Sequence, residues 1–319
     1  MLDVSPLRRP PAGPRAAGPR PTRYDIDGVV AALRVSRDET HNIRIGGRVR
    51  PMPSREAVAG VVADLSAALF PSHFGQSESG VAAFDGLVAG TLATALQVLE
   101  DQVRRGLALS RGDSVPPGAL DAEALSIVRG FAQALPGIRG TLAGDLGAAL
   151  DADPAASTAP DILLGYPGLA ALIHHRLAHA LHGLGAHLPA RLIADIARER
   201  TGIDIHPAAR IGERFFIDHG TGVVVGETAV AGAGVRLHQG VTLGARPARR
   251  AAELKGQARH PILEDDVVVY AGATILGRIT VGRGSVIGGN VCLTASVPPG
   301  SRVEPAAPLR AAEAPPPGR

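Results

Sequence analysis

Residues 201–245 read TGIDIHPAARIGERFFIDHGTGVVVGETAVAGAGVRLHQGVTLGA, and an apolar period of six runs through them. Ile205, Ile211, Ile217, Val223, Ala229, Val235 and Val241 fall at successive six-residue steps, and Leu263, Val269, Ile275, Val281, Ile287 and Leu293 resume the series after an interruption. Only Ala229 lacks a branched aliphatic side chain. Six matches neither the helix period of about 3.6 nor the alternation of an ordinary sheet. It matches a β-solenoid in which each flat side uses one hexad and three sides close a coil. One aliphatic side chain per side then points inward and stacks on its equivalent in the next coil. Glycines in Ile211-Gly212, Val225-Gly226, Val281-Gly282 and Ile287-Gly288 suit the corners of such a prism. The interruption between Gly244 and His260, ARPARRAAELKGQAR, is charged and breaks the register, so it is expected to protrude as a loop.

Upstream the pattern is different. From about 55 to 200 the apolar residues recur at helical spacing, with Leu92, Leu96, Leu99 and Val103 on one stripe and Leu142, Leu146 and Leu150 on another. Pro136, Pro154, Pro167 and Pro189 punctuate this half, and Pro167 suits the first turn of a helix running to a glycine stop after LAALIHHRLAHALHGLG. The fold class is therefore α+β, a helical domain over 23–200 followed by a β-helical prism over 201–303 with a protruding loop at 245–260. The Pro- and Arg-rich stretch 1–22 and the tail 304–319 cannot bury a core and are expected to be disordered.

Composition excludes several classes. The 319 residues carry a net charge of +3, but Arg8, Arg9, Arg15, Arg20 and Arg23 all sit in or beside the leader, so no basic surface is implied. Aromatic residues are only 3% and Trp is absent, which leaves few rings to stack on nucleic acid bases. A single cysteine, Cys292, rules out an internal disulfide framework and any multi-cysteine zinc site; between Val291 and Leu293 it reads as a packed thiol. The first residues lack the apolar run of a secretory signal, and no stretch reaches the length of a membrane span. A cytoplasmic, soluble protein is expected.

The hexads resemble the left-handed parallel β-helix of the hexapeptide acyltransferases. Within that superfamily TGIDIHPAARIGERFFIDHGTGVVVGETAV, HQGVTLGA, ARHP, AGATILG and SVPPG resemble the serine O-acetyltransferases, as do DADPAA at 151–156 and YPGLAALIHHRLAHAL in the helical half. The resemblance covers about half of the chain, and the long helical N-terminus is similar to the extended bacterial subgroup. It implies transfer of acetyl from acetyl-CoA to L-serine, the first step of cysteine biosynthesis, with acetyl-CoA as co-substrate and no cofactor. It also implies a homotrimer or a dimer of trimers with the active site between subunits. Many family members bind cysteine synthase through a C-terminal isoleucine; this chain ends Pro-Pro-Pro-Gly-Arg, which argues against that complex.

Removing a hydroxyl proton as an acyl bond forms needs a base matched to neutral pH, and His219 is the candidate. A carboxylate on its other ring nitrogen would fix the tautomer, and Asp204 and Asp218 are both available for it. The resemblance gives that role to Asp204, which lies fifteen positions earlier and, at eighteen residues per coil, is expected to meet His219 near a corner. Asp153 and Asp218 would face the serine ammonium, since an ammonium leaving water needs nearby negative charge. The resemblance gives the substrate carboxylate to Arg259 and His260, the planar arginine fork being suited to it. Ala245, Ala271, Gly272 and Gly289 are the positions that the resemblance nominates for the pantetheine arm.

Blander roles stand beside these. Asp153 and Asp204 could be caps, and Arg259 and His260 solvated loop residues. His174, His175, His179, His182 and His187 invite a metal reading, but no carboxylate completes a ligand set. Other readings are a hexapeptide acyltransferase acting on another small hydroxyl acceptor, a zinc β-helix using His219, His238 and His260, and a non-catalytic scaffold. Two acids with an arginine and a histidine suit a zwitterionic amino acid better than a neutral sugar.

Overall fold

A computed structural model describes residues 24–39, 44–45, 48–49, 51–74, 81–111, 115–116, 118–246 and 256–305. The expected disordered leader, nearly all of the expected tail and most of the expected protruding loop lie outside the described residues. Two compact units divide the chain, one up to Val49 and one from Arg50. The first holds helix α1 (Ile26–Glu39) and an antiparallel pair of two-residue strands, β1 (Arg44–Ile45) and β2 (Arg48–Val49).

The second unit begins as a helical bundle: α2 (Arg55–Leu69), α3 (Pro71–Phe74), α4 (Val81–Arg111), α5 (Ala119–Ala152), α6 (Ala159–Gly165), α7 (Pro167–Gly183) and α8 (His187–Thr201). Ser54 caps α2 by accepting the Ala57 N–H, and Thr158 with Asp161 forms a reciprocal capping box at α6. The expected stripes are the packed faces: Leu99, Val103 and Leu142 are fully buried, and Leu92, Leu96, Leu146 and Leu150 pack partly against the same core. Pro136 does not break the chain as expected. It lies within α5, exposed, where the hydrogen bond that its missing N–H forgoes falls on the solvent side.

Gly202, at φ 70°, ends α8 and turns the chain into a parallel solenoid of about five turns. One face stacks β3 (Asp204–Ile205), β6 (Val224–Val225), β9 (Thr242–Gly244), β12 (Thr274–Leu276) and β15 (Cys292–Leu293). A second stacks β4 (Arg210–Ile211), β7 (Val230–Ala231), β10 (Ile262–Leu263) and β13 (Thr280–Val281). The third stacks β5 (Phe216–Asp218), β8 (Arg236–His238), β11 (Val268–Val269), β14 (Val286–Ile287) and β16 (Arg302–Val303).

Before the interruption the sixfold period holds, but its register shifts once. Ile205 pairs with Val225 and Ile217 with Leu237, so the first coil spans twenty residues, whereas Val225 pairs with Leu243 eighteen residues on. The expected series through Val223, Ala229, Val235 and Val241 therefore slips by two from the strand centres Val225, Ala231, Leu237 and Leu243. The slip was hidden because these hexads bury two residues each, and all eight of these side chains are buried. The same alternation corrects Cys292: Val291 points inward, whereas Cys292 is exposed. Nor do Gly212, Gly226 and Gly282 serve by left-handed φ. They serve by close approach, a Cβ on Gly282 falling 2.3 Å from Pro299 N.

Bundle and prism meet through a buried ion pair. Arg176 on α7 donates to both carboxylate oxygens of Asp145 on α5, each at 3.1 Å, and to the carbonyls of Ile211 and Gly212. Asp145 also accepts the Phe215 N–H at 2.9 Å, and its side chain is fully buried. Burial pushes the Asp145 carboxyl up and the Arg176 charge opposes this. Truncating one partner leaves the other charged and buried, so Asp145→Ala is expected to lower the unfolding free energy by about 3–5 kcal/mol in urea titrations.

Burial, first among the causes, holds the imidazoles of His174, His175, His182, His206, His238 and His260 below the usual 6.5, His206 at about 4. Between these values the unfolded chain binds more protons than the folded one, so stability rises with pH. The thermal midpoint is expected to fall as pH is lowered from 6.5 toward about 4; a midpoint insensitive to pH there would contradict the burial.

Candidate active site

The two extra residues of the first coil lie in the corner His219–Gly222 that follows β5. His219 takes φ 55°, Gly220 φ 92° and Gly222 φ 81°. A left-handed conformation costs a non-glycine residue about 1–2 kcal/mol, and such strain gathers at functional positions. The corner turns the imidazole outward, its side chain 75% exposed. Asp218 lies beside it, Oδ1 3.8 Å from His219 Nε2, while Oδ2 is 3.8 Å from Nε2 of His238. His238 is the strand partner of Asp218 one coil on, and its ring lies 4.7 Å from that of Tyr270. Among the described residues its Nδ1 is buried without a hydrogen-bond partner.

The bundle delivers a second carboxylate to this corner. Asp153 closes α5; its Oδ1 accepts the Ala155 N–H at 2.8 Å and its Oδ2 the Tyr166 hydroxyl at 2.6 Å. The tyrosine bond, then the Ala155 bond, holds Asp153 below the usual carboxylate range, and the charge of His219 acts in the same direction. The same tyrosine bond pushes the Tyr166 phenol up to about 12, with Asp218 and Asp161 adding to it.

A cationic cluster occupies the corner at the other end of the β3–β6–β9–β12–β15 face. The Thr228 hydroxyl accepts the backbone N–H groups of Arg259 at 2.8 Å and His260 at 3.1 Å, and lies 2.9 Å from His260 Nδ1. Arg259 pairs with Glu227, which that hydrogen bond holds low in pKa, and Arg278 donates to the carbonyls of Thr228 and His260. The His260 ring packs so closely on Gly226 that a Cβ there would fall 2.0 Å from its Cδ2.

The chain thus brings Asp153, Asp218 and His219 together and sets Arg259 and His260 a face away, about 16 Å for five residues at strand rise. Ala271, Gly272 and Gly289 stack above the His219 corner, where a Cβ on Gly272 would meet Asn290 and one on Gly289 the Ala271 carbonyl. Ala245 instead follows β9 at the cationic corner. Asp204 makes no ion pair or hydrogen bond with His219 in the chain. The expectation assumed an eighteen-residue first coil; with twenty, Asp204 lies under Val224, beyond the corner. Tyr166, Glu227 and Thr228 were not anticipated in the site, and His238 was named only in the zinc alternative. The pairing of Asp218 with His238 becomes legible only once the first coil is counted as twenty residues.

The helix histidines have local tasks. His174 Nδ1 meets the Ala170 carbonyl at 2.7 Å and His179 Nδ1 the Pro207 carbonyl at 2.8 Å, while His175 is buried. Among the described residues no group of three or more His, Cys, Asp or Glu side chains is placed to hold a metal. A cavity of about 510 Å³ between α2, α6, α7 and α8 has a mainly apolar lining and contains none of the expected site residues.

No protein-family model matches the chain. The plasmid serine acetyltransferase of Synechococcus elongatus is 48% identical over 291 residues, 89% of this chain and 91% of the relative. The serine acetyltransferase of Mycobacterium tuberculosis is 48% identical over 160 residues, 50% of this chain and 67% of its own. Among solved structures, serine acetyltransferase isoform 3 of Entamoeba histolytica in complex with cysteine matches with a TM-score of 0.66 at 29% identity, covering 86% of this chain and 91% of that one. The Brucella abortus enzyme in complex with coenzyme A matches at 0.52 and 31% identity, covering 77% and 93%. The three-faced prism is accordingly the left-handed β-helix of the hexapeptide-repeat acyltransferases. Within that class the chain belongs to the serine acetyltransferase family, and the likeness extends well beyond the half recognised from motifs.

The Thr228 N–H donates to His260 Nδ1 at 3.0 Å, which fixes the neutral ring with its proton on Nε2. Nitrogen-15 imidazole shifts at neutral pH are expected to show that tautomer at His260; the Nδ1–H form would contradict this geometry.

Proposed function

We propose that the protein is a serine O-acetyltransferase, converting acetyl-CoA and L-serine to CoA and O-acetylserine. The observation that carries this reading is the convergence of Asp153, Asp218 and His219 on one strained corner, in a chain of this family. His219, the base, takes the serine hydroxyl proton as the oxygen attacks the thioester carbonyl. Collapse of the tetrahedral adduct breaks the carbon–sulfur bond, and the imidazolium returns the proton to the departing CoA sulfur. Asp153 and Asp218 receive the ammonium, and Arg259 with His260 the carboxylate. Asp204 keeps the orienting role in the substrate-bound assembly, where catalytic spacings tighten relative to the empty chain. The pantetheine arm runs past Ala271, Gly272 and Gly289, where small residues leave the backbone approachable, and Ala245 meets it from the cationic corner. The reading calls for no cofactor.

The separation of the acidic and cationic corners supports a homotrimer in which the His219 corner of one subunit faces the Arg259 corner of the next. Val224 lies on the face between them, 39% exposed, as an interface residue would in an isolated subunit. A cytoplasmic setting suits a chain whose one cysteine is free. Among the described residues no helix is long and apolar enough to cross a membrane.

Thiol release from acetyl-CoA is expected to depend on L-serine and to fall at least about a thousandfold in His219→Ala without loss of the oligomer. Release only with another hydroxyl acceptor would overturn the substrate, and a dissociated variant would make His219 structural. Mixing His219→Ala with Arg259→Ala subunits is expected to restore about a quarter of the wild-type activity, because random trimers leave about that share of sites intact. No recovery after verified subunit exchange would place both residues in one chain's site.

A further inference from the structure

Tyr166 opens the motif YPGLAALIHHRLAHAL without a role read for its side chain, yet its hydroxyl meets Asp153 Oδ2 at 2.6 Å. That length falls in the range of charge-assisted O–H···O⁻ bonds, which are about twice as strong as neutral ones. The residue is anchored on both sides. It ends α6, donating its N–H to the Ile162 carbonyl, and opens α7, accepting the Ala170 N–H. Two residues on, Gly168 is buried so tightly against β5 that a Cβ would fall 2.2 Å from the Ile217 carbonyl oxygen. Ile217 immediately precedes Asp218 and His219. The backbone that carries the phenol is therefore fixed against the strand that carries the proposed base, and the phenol bridges thirteen residues back to Asp153.

A carboxylate offers about four lone-pair sites on two oxygens. In Asp153 the Ala155 N–H uses one on Oδ1 and Tyr166 one on Oδ2, which fixes the plane of the group and leaves acceptor positions on both oxygens. We infer that Tyr166 is a positioning residue for the amino-acid acceptor, orienting the Asp153 carboxylate to take the substrate ammonium. The inference rests on the proposed serine acetyltransfer. A phenol that only tied α5 to α7 would act on stability, whereas one that aims Asp153 acts on serine recognition.

Tyr166→Phe removes the hydroxyl and keeps the ring. With acetyl-CoA saturating, its KM for L-serine is expected to rise about tenfold while kcat and the KM for acetyl-CoA stay within about twofold, as loss of one hydrogen bond to a charged group predicts. The acid limb of kcat/KM for serine is expected to move to higher pH, because a carboxylate that loses a donor protonates more readily. In an Asp153→Asn background, adding Tyr166→Phe is expected to change the serine KM little, since the group it positions is already neutral. An unchanged serine KM in Tyr166→Phe, or equal losses in kcat, both KM values and thermal midpoint, would overturn the inference and leave a structural tie. A wild type that is inert toward L-serine would overturn the acetyltransferase reading and this inference together.

Discussion

Each inward aliphatic side chain of the prism must sit over its equivalent one coil below, and the rest of the structure follows from that stacking. Ile205, Val225, Leu243, Ile275 and Leu293 form one such column, and the parallel hydrogen bonds of the face hold it in register. A residue added within a face would move every later side chain out of the core, so extra residues can leave only at corners. Two do so at His219–Gly222. More leave after β9, where thirty-two residues separate Leu243 from Ile275 although eighteen separate Ile275 from Leu293. These are the two places that carry the proposed chemistry: the first extrusion presents an imidazole, and the second returns to the prism at Arg259 and His260.

The stacking also explains why a helical bundle is needed. A prism corner can expose His219 and Asp218, but its faces are committed to ladder and core, so a second acidic group must come from elsewhere. Asp145 and Arg176 fasten α5 and α7 to the first coil, and Asp153 sits one helix end beyond Asp145. A buried ion pair is weak evidence of net stability, because desolvation offsets much of the attraction. Its directionality is what matters here, since it fixes the orientation of α5 relative to the corner and so where Asp153 arrives.

The fold was legible in the sequence because a six-residue period is a direct imprint of the coil. Its fine register was less so: two buried positions per hexad let a slip of two pass unnoticed between Ile217 and Val225, and that slip sets Asp204 two positions further from His219 along the coil than an eighteen-residue coil would. Asp153, Asp218 and His219 were readable as a group through the motifs around them. Tyr166 was not, because its contact with Asp153 depends on how two helices fold back on each other, and a tyrosine before proline looks like any helix entry. Cys292 failed for a simpler reason, since apolar neighbours in a strand point to the opposite side.

The distribution of charge gives the two corners complementary characters. Asp153 and Asp218 make the His219 corner acidic, while Arg259 and Arg278 surround His260 with positive charge that Glu227 only partly offsets. Neither corner alone suits a zwitterion: an ammonium bound at the first would leave its carboxylate in water, and a carboxylate bound at the second would leave its ammonium there. In the proposed trimer, bringing the corners of two subunits together would satisfy both ends of one amino acid and add Coulomb attraction across the interface. The same closure would take His219 out of bulk water, where a base facing a thioester gains most from a preorganised carboxylate. On that proposal assembly and catalysis are one requirement, with His219, 75% exposed in the single chain, the group that the neighbouring subunit would cover.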